Sequence, residues 1–142
     1  MKDRIKSILE SQRLAVLATH TGDYPYTSLI VFAHSKDLGQ VLFATKKDSR
    51  KFVNLARNSL VSLLIDDRQN AAGNLKQASA ITIMGEAEVC KTGDMEYASI
   101  FLAKNPDLGN FLNLPSVALV KVNVISYLLV VEFEKVYQLT ID

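Results

Sequence analysis

The segment LFATKKDSRKF, residues 42–52, marks the point at which the hydrophobic pattern of the chain changes from that of a strand to that of a helix. An extended apolar run ends at Thr45, and a polar turn follows it. Either residue of the pair Asp48–Ser49 can cap a helix start, and Phe52 and Leu55 then recur at helical spacing. The segment therefore predicts a strand, a turn and a short helix in direct succession.

Upstream of this segment the pattern predicts one helix and a β-hairpin. Ile5, Ile8 and Leu9 fall on one face of an amphipathic helix. Two compact apolar runs then flank a Gly22-Asp23 turn, and a third apolar run follows a second turn. The elements predicted here are helix 3–12 and strands 14–19, 26–33 and 41–45.

Downstream of the segment, strands dominate again. Residues 60–65 are apolar with too few polar residues for an exposed face, so we expect them between two other strands. Gly85 interrupts an alternating pattern and indicates a bulge or a close approach of backbones. Residues 66–77 are polar and predict a long loop. The remaining predicted elements are helices 94–103 and 107–114 and strands 79–89, 117–119, 121–125 and 128–139.

The number and order of these elements favour a barrel. Six or seven strands in mostly antiparallel connections, with one helix between the third and fourth, close most economically into a barrel without exposed edges. The regular strand–helix alternation of a doubly wound fold is absent. The chain has 142 residues, of which 49% are hydrophobic and 22% charged, which suits one domain with a core. We expect a mainly β (α+β) fold with short flanking helices, in a single domain of residues 1–142.

Charge and cysteine content exclude several functional classes. The net charge is +1, so nothing in the global balance attracts nucleic acid or an acidic membrane. Cys90 is the single cysteine, which rules out an intrachain disulfide. We find no signal-peptide pattern and no apolar run near the roughly 18 residues of a membrane helix. We therefore expect a cytoplasmic protein with neither a nucleic-acid nor a membrane partner.

The helix that follows Ser49 is a candidate phosphate site. The first turn of a helix offers unpaired N–H groups that suit an anion, and Thr45 and Ser49 add hydroxyl groups. Arg50 and Lys51 place two cations there, which costs a few tenths of a kcal/mol unless an anion is bound. By the residues alone, a phosphate site and a pair of solvated helix residues are equally compatible with this pattern.

The order of Thr45 and Ser49-Arg50-Lys51 at the head of a helix resembles the phosphate-binding signature of the pyridoxamine-phosphate-oxidase-like, FMN-binding split-barrel family. The N-terminal helix, the turn at residues 22–25 and the strands around residues 61–65 and 83–87 also follow the family's order. The resemblance implies a six- to seven-stranded antiparallel split β-barrel that binds FMN at the interface of a homodimer. It implies that Thr45, Ser49, Arg50 and Lys51 hold the phosphate, and that the backbone of Thr27, Ser28, Leu29, Ile30 and Val31 lies along the flavin ring.

Within this family, the chain looks closest to the haem-utilisation-type branch. Residues 64–70 and 78–82 carry that likeness, together with residues 106–108, 111–112 and 115–119. The true oxidases carry basic residues where this chain has Ser28 and Ala33, and an Arg-Gln pair where it has Ser79-Ala80. The chain also contains no tryptophan. We therefore do not expect it to oxidise pyridoxamine phosphate.

The resemblance implies an FMN-binding flavoprotein, an oxidoreductase acting on a small-molecule substrate that the sequence does not identify. No residue is an evident proton donor or base, so catalytic residues are not assigned. The alternative is a non-catalytic split-barrel module that binds haem, another tetrapyrrole or a small ligand. For the ring-binding strand, the alternative is that Leu29 and Val31 are ordinary barrel core.

Other reactive side chains favour structural roles. His20 and His34 lie at strand ends without further metal-ligating neighbours, so we expect surface residues rather than metal ligands. Cys90 has no nearby histidine and is expected to be a buried or inert thiol. For Asp66-Asp67-Arg68 we favour a structural role in the loop.

Overall fold

The computed structural model describes residues 1–142, with the side chain of Asn74 excepted. Over these residues the chain forms seven strands and four α-helices. The strands are β1 (Leu14–His20), β2 (Pro25–His34), β3 (Gln40–Lys46), β4 (Leu60–Asp66), β5 (Ser79–Val89), β6 (Val117–Val131) and β7 (Lys135–Thr140). The α-helices are α1 (Lys2–Ser11), α2 (Arg50–Arg57), α3 (Met95–Lys104) and α4 (Gly109–Leu112), and 3-10 helices span Ala72–Gln77 and Pro106–Leu108.

The strands form one antiparallel sheet that closes on itself. Their order is β3-β2-β1-β4-β5-β6-β7, and an additional pairing of β3 with β6 closes six of them into a barrel. The first half of β6 pairs with β3, and its second half pairs with β7, which lies outside the closed ring. This confirms the predicted barrel. It also confirms that residues 60–65 lie between two other strands, which the structure identifies as β1 and β5.

The barrel interior is filled by side chains. Phe32, Phe43 and Tyr127 are fully buried in it, and the Tyr127 hydroxyl donates to the Leu38 carbonyl (2.8 Å). Helix α1 adds Ile5, Ile8 and Leu9 to the same core. Helix α3 packs outside the barrel, where its Phe101 meets residues of β2, β3 and β6. A ligand must therefore bind outside the barrel, because the interior has no room for one.

The sequence prediction of the C-terminal strands was wrong in its boundaries. β6 is continuous over 15 residues, and the predicted strand 128–139 is in fact the end of β6, a turn and β7. Glu132 and Phe133 occupy the turn with φ of 52° and 64°. Such positions usually carry Gly or Asn, so the sequence contains no turn signal there.

Two shorter regions also differ from the prediction. The expected loop 66–77 contains the 3-10 helix Ala72–Gln77. The expected helix 107–114 is a 3-10 turn at Pro106–Leu108 followed by the four-residue α4.

Gly85 lies at a register shift between β5 and β6, as its pattern predicted. A Cβ atom at this position would come within 2.6 Å of the Asn123 carbonyl oxygen and within 2.6 Å of Val122 Cγ1. Backbone and a core side chain are both involved, so neither neighbour can move away cheaply. Only glycine fits where these two strands approach each other.

We expect Gly85→Ala to lower the free energy of unfolding by about 1–3 kcal/mol, as overpacking of a core does. Urea denaturation of the purified variant measures this change. Gly109→Ala is the matched control, because Gly109 has helical φ and ψ and nothing within 4 Å of an added Cβ atom. Equal stability of the two variants would contradict the close approach at Gly85.

Candidate functional site

Strand β2 has a backbone edge without a partner strand among the described residues. Residues 32–34 pair with residues 41–43 of β3, whereas residues 25–31 pair with β1 alone. The Phe32 N–H donates to the Arg13 carbonyl (3.4 Å). In an antiparallel pair every second residue turns its backbone N–H and C=O groups towards the partner strand, so this bond shows which residues of β2 face β1. By this alternation the backbone groups of Ser28 and Ile30 face β1, and those of Thr27, Leu29 and Val31 face the open side.

The opening between β2 and β3 forms a cleft with a volume of about 200 Å³. Helix α3 and the turns after it close one side of the cleft with aromatic and aliphatic side chains. Lys51 of α2 is the one charged residue among the described residues that line it. The lining consists of Leu29, Ile30, Val31, Ala44, Lys51, Phe101, Leu108 and Phe111.

The N-terminus of α2 has two open backbone donors. Ser49 is the N-cap residue, and its Oγ accepts from the Phe52 N–H (3.3 Å) while its carbonyl accepts from the Val53 N–H (3.1 Å). The N–H groups of Arg50 and Lys51 have no acceptor in the part of the chain that the structure describes. They remain available to an anion.

No ion pair among the described residues offsets the positive charge at this helix end. The first turn of α2 holds no acidic residue, and neither Arg50 nor Lys51 forms an ion pair with a described residue. Arg50 is exposed and Lys51 is half-buried. The buried hydroxyl of Thr45 lies 2.9 Å from that of Ser49, so two hydroxyl groups stand beside the two cations.

Helix α2 is held in place by contacts that the sequence analysis did not identify. Asn54 Nδ2 donates to Thr19 Oγ1 (3.1 Å), and both residues are buried. Leu55 enters the barrel core one residue later. No local signal could reveal the Asn54–Thr19 pair, because the two residues are 35 positions apart in the chain.

The structure brings four of the nine predicted cofactor residues together in the cleft. Leu29, Ile30, Val31 and Lys51 share the cleft, although 20 positions separate Val31 from Lys51. The other five, Thr27, Ser28, Thr45, Ser49 and Arg50, do not line it. Ser28 Oγ is buried without a hydrogen-bond partner among the described residues. Leu29 is 64% exposed, so its assignment to the barrel core is wrong, whereas Val31 is half-buried.

The aromatic side of the cleft was missed by the sequence analysis. Phe101, Leu108 and Phe111 belong to the predicted helices 94–103 and 107–114, where apolar residues indicate packing and not ligand contact. Their role in the cleft depends on how α3 crosses the outside of the barrel, which local periodicity does not determine.

The remaining reactive side chains have structural surroundings. His20 is exposed at the end of β1, and His34 is half-buried at the end of β2. Burial raises the pKa of the half-buried Cys90 thiol to about 11, in agreement with an inert thiol. Asp67 accepts from the Ser79 N–H (2.6 Å) and pairs with Arg4 (3.3 Å), so it ties the loop to α1.

Two kinds of site are not found over the described residues. No group of three or more His, Cys, Asp or Glu side chains is arranged to hold a metal ion. None of the helices there combines the length and the apolar character that crossing a membrane requires.

An antiparallel six-stranded barrel whose β2 and β3 separate after three paired residues, with a helix N-terminus at the opening, defines a split-barrel protein with an external cleft. The family model described as pyridoxamine 5'-phosphate oxidase matches residues 1–138. The chain therefore belongs to the pyridoxamine 5'-phosphate oxidase family. No curated protein sequence matches it.

Solved structures share the fold at low sequence identity. A heme binding protein from Mycobacterium smegmatis has a TM-score of 0.82 and 18% identity, over 95% of this chain and 55% of that one. The heme storage protein HutZ from Vibrio cholerae has a TM-score of 0.70 and 16% identity, over 87% and 89%. A FAD-binding protein from Mesorhizobium loti has a TM-score of 0.71 and 12% identity, over 89% and 91%. The chain thus spans little more than half the length of the M. smegmatis protein. The predicted likeness to the family and to its haem-utilisation branch is confirmed.

We expect Asn54→Ala to lower the free energy of unfolding by about 1–3 kcal/mol, because it removes the donor to the buried Thr19 hydroxyl oxygen. The other hydrogen bond of this hydroxyl, to the Tyr26 carbonyl (3.5 Å), is long and does not replace that donor. Denaturant titration of the purified variant measures the loss. Val53→Ala is the control, since Val53 is the exposed neighbour on the same helix. If the two variants were equally stable, the Asn54–Thr19 hydrogen bond would not be what fixes α2 on the barrel.

Proposed function

We propose that this protein is an FMN-binding flavoprotein and an oxidoreductase acting on a small molecule. The observation that carries the proposal is that Lys51 at the N-terminus of α2 and the open edge of β2 border the same cleft. The sequence suggests these two features separately, one for a phosphate and one for a flavin ring. Because the two features border one cleft, a single FMN molecule could place its phosphate at the helix and its ring along the strand.

The phosphate would bind at the N-terminus of α2. The open N–H groups of Arg50 and Lys51 are donors, and their side chains supply positive charge. One of the paired hydroxyls of Thr45 and Ser49 donates to the other, which leaves a single hydroxyl proton for the phosphate. A dianion there would remove the unfavourable interaction between these cations and the helix dipole. The residues present therefore fit the phosphate of FMN.

The flavin ring would lie along the open edge of β2. The backbone groups of Thr27, Leu29 and Val31 alternate N–H donors with carbonyl acceptors, which suits the polar edge of a flavin. Ser28 and Ile30 would support this edge through their pairing with β1. Recognition by backbone groups explains how apolar side chains such as Leu29 can occupy a ligand-binding strand.

The bound flavin supplies hydride or electron exchange, and the protein sets its orientation and access. The cleft lining offers only the Lys51 ammonium as an ionisable group among the described residues. The side chains of Phe101, Leu108 and Phe111 line one side of the cleft and would shield a bound flavin from water. The contribution of this chain to the reaction would therefore be positioning and desolvation rather than acid–base catalysis.

Titration of the apo-protein with FMN, followed by an assay of nicotinamide oxidation, tests the proposal. Flavin absorption bands in the saturated protein and turnover of the nicotinamide would support it. A Soret band on addition of haem, with no response to FMN, would favour the haem-binding alternative suggested by the structural neighbours.

We expect Arg50→Ala to weaken FMN binding by about 2 kcal/mol, roughly 30-fold in Kd, through loss of a charge-assisted contact to the phosphate. Quenching of flavin fluorescence on binding gives the Kd. The apo form of this variant should be unchanged or more stable by a few tenths of a kcal/mol, because a cation leaves the helix N-terminus.

Arg57→Ala is the control for this measurement. Arg57 is exposed at the opposite end of the same helix, where a cation complements the dipole. This variant should lose a few tenths of a kcal/mol of stability and keep its FMN affinity. Equal FMN affinity in the two variants would show that the phosphate does not bind at the N-terminus of α2.

We further propose that the protein is a homodimer with the flavin at the interface. The outer faces of β2, β1, β4 and β5 carry an apolar surface, here called the bare face. By register, Leu29 lies opposite Val16, and Val16 lies opposite Leu64 on the next strand. The large apolar side chains of the bare face, Leu14, Leu29, Leu64 and Met84, are between 39% and 64% exposed.

A second copy of the chain is the partner that suits this surface. The outward residues of β1 between Leu14 and Ala18, and those of β4 between Leu60 and Leu64, carry no charge. The centre of the bare face can therefore meet that of a second copy without like-charge repulsion, and Glu86, opposite Leu60 on β5, lies at its edge. Leu29 belongs both to the bare face and to the cleft. A subunit docked on this face would therefore also cover the open side of the flavin site.

We expect Leu64→Lys to dissociate the dimer, because it would bury like charges in an apolar contact. Sedimentation velocity reports the mass, and an FMN titration of the same sample reports the loss of an interfacial site. Leu114→Lys, which changes an exposed leucine outside the bare face, should change neither. A dimer that persists in Leu64→Lys would place the interface elsewhere.

A further inference from the structure

Asn105 is a fully buried polar residue at the C-terminus of α3. It precedes Pro106, and a residue in this position disfavours the helical conformation, so α3 ends here with open carbonyl groups. The Phe101 carbonyl accepts from both the backbone N–H (3.0 Å) and Nδ2 (3.2 Å) of Asn105. Asn105 therefore closes the end of α3 with its own side chain.

The same amide nitrogen reaches strand β2. Asn105 Nδ2 donates to the Phe32 carbonyl (3.3 Å). The ladder between β1 and β2 begins at the pair of Leu14 and Val31, so this carbonyl lies just beyond it. Phe32 is also the first residue of β2 that pairs with β3, at the point where the two strands separate. Asn105 therefore connects α3 to the point at which the cleft opens.

The aromatic wall of the cleft, formed by Phe101, Leu108 and Phe111, lies on both sides of Asn105 in the chain. The Leu108 N–H donates to the Asn105 carbonyl (3.1 Å) and so begins the turn that follows α3. The other backbone hydrogen bonds of residues 106–114 are also local among the described residues. No backbone ladder there joins the wall to β2, so the contact of Asn105 with β2 sets the distance between them.

Other contacts hold the body of α3 without holding this wall. Lys104 Nζ donates to two carbonyls near the end of α1 (2.8 and 2.7 Å), which attaches α3 to α1 and not to β2. Beyond Asn105, the ion pair of Arg13 with Asp107 joins two exposed side chains at 3.6 Å, and exposed pairs of this kind contribute little. Without the Asn105 amide α3 would stay in place, whereas the wall would lose its buried polar attachment to β2.

Packing alone does not favour an asparagine at this position. Asn105 Oδ1 is buried with no hydrogen-bond partner among the described residues. An unpaired buried amide oxygen opposes folding, and an apolar side chain would not carry one. What the amide adds is the pair of hydrogen bonds that Nδ2 donates to Phe32 and Phe101. The residue is therefore explained by the elements that it joins.

We propose that Asn105 is a positioning residue of the flavin cleft, whose Nδ2 group holds the aromatic wall against the opening of β2. The role rests on the proposed flavin site, because the wall encloses the half of the cleft assigned to the ring. Asn105 touches no ligand, since none of its surface is exposed. It acts through the wall, which determines how closely the flavin is enclosed and shielded from water.

Two variants of Asn105 test the proposal in titrations with FMN and with riboflavin. Asn105→Asp keeps the shape of the side chain and replaces the NH2 donor by a carboxylate oxygen, and Asn105→Ala removes the amide. We expect both to raise the Kd of each flavin about tenfold, as the loss of a hydrogen bond that orders a site does. The long-wavelength absorption band of the bound flavin should also lose its vibrational structure as water enters the cleft.

The two flavins differ only in the phosphate, which separates the wall from the N-terminus of α2. Because the wall meets the ring, the ratio of the riboflavin Kd to the FMN Kd should keep its wild-type value in both Asn105 variants. In Arg50→Ala this ratio should fall, since only FMN loses a contact. Unchanged flavin affinity in both Asn105 variants, or a ratio that falls as in Arg50→Ala, would overturn the proposal.

Tyr127→Phe is the matched control. It also removes a buried side-chain donor to a backbone carbonyl, that of Leu38, but in the turn between β2 and β3 and not at the opening of the cleft. Both Kd values and the flavin spectrum should stay unchanged in this variant, even where it loses as much stability as Asn105→Ala.

Hydrogen exchange of the proteins without flavin separates this role from the flavin assignment. Asn105→Ala should accelerate amide exchange in residues 106–114 and leave that of α1 unchanged, whereas Tyr127→Phe should not accelerate exchange in residues 106–114. If the wild-type protein bound neither flavin, the proposed function would be wrong, while faster exchange in that segment would still show that Asn105 holds the wall. Exchange at the wild-type rate in residues 106–114 of Asn105→Ala would refute the role of Asn105 with or without flavin.

Discussion

The separation of β2 from β3 is the constraint on which the rest of the site depends. These strands pair over only three residues each. Beyond them, residues 44–46 of β3 pair with β6 alone, and residues 25–31 of β2 pair with β1 alone. The backbone groups of Thr27, Leu29 and Val31 then face the open side. Backbone N–H and C=O groups require partners, so an edge of this kind is satisfied by water or by a ligand. A fully closed barrel would have no such edge and no cleft beside it.

Helix α2 tolerates an unfavourable charge distribution because its position is fixed by other contacts. Two cations in the first turn cost only a few tenths of a kcal/mol each, whereas burial of a leucine such as Leu55 contributes about 1.5–3 kcal/mol. The Ser49 cap and the buried Asn54–Thr19 hydrogen bond add to this. The helix can therefore present Arg50 and Lys51 at its positive end and remain folded without an anion.

Much of the fold was predictable from the sequence, because strand periodicity and the Gly22, Gly39 and Gly85 positions are local signals. The β6–β7 turn was not, since Glu132 and Phe133 adopt left-handed φ without a turn residue. The cation cluster was predictable from the position of Arg50 and Lys51 relative to a helix start. The position of Phe101 in the cleft lining was not predictable, because α3 contacts the barrel through residues that are far apart in the chain.

The packed barrel explains how one fold can serve proteins described as binding haem and as binding FAD. Phe32, Phe43 and Tyr127 fill the interior, so the ligand contacts only the outer surface of the barrel and the elements attached to it. The barrel can then remain constant while the helix ends, the strand edge and the subunit contact change. Few residues would then decide which ligand binds, and in the proposed site these are the cations at the start of α2, which suit a phosphorylated ligand. In that proposal Lys51 meets the phosphate at one end of the cleft, and the apolar side chains that line the rest of it meet the flavin ring.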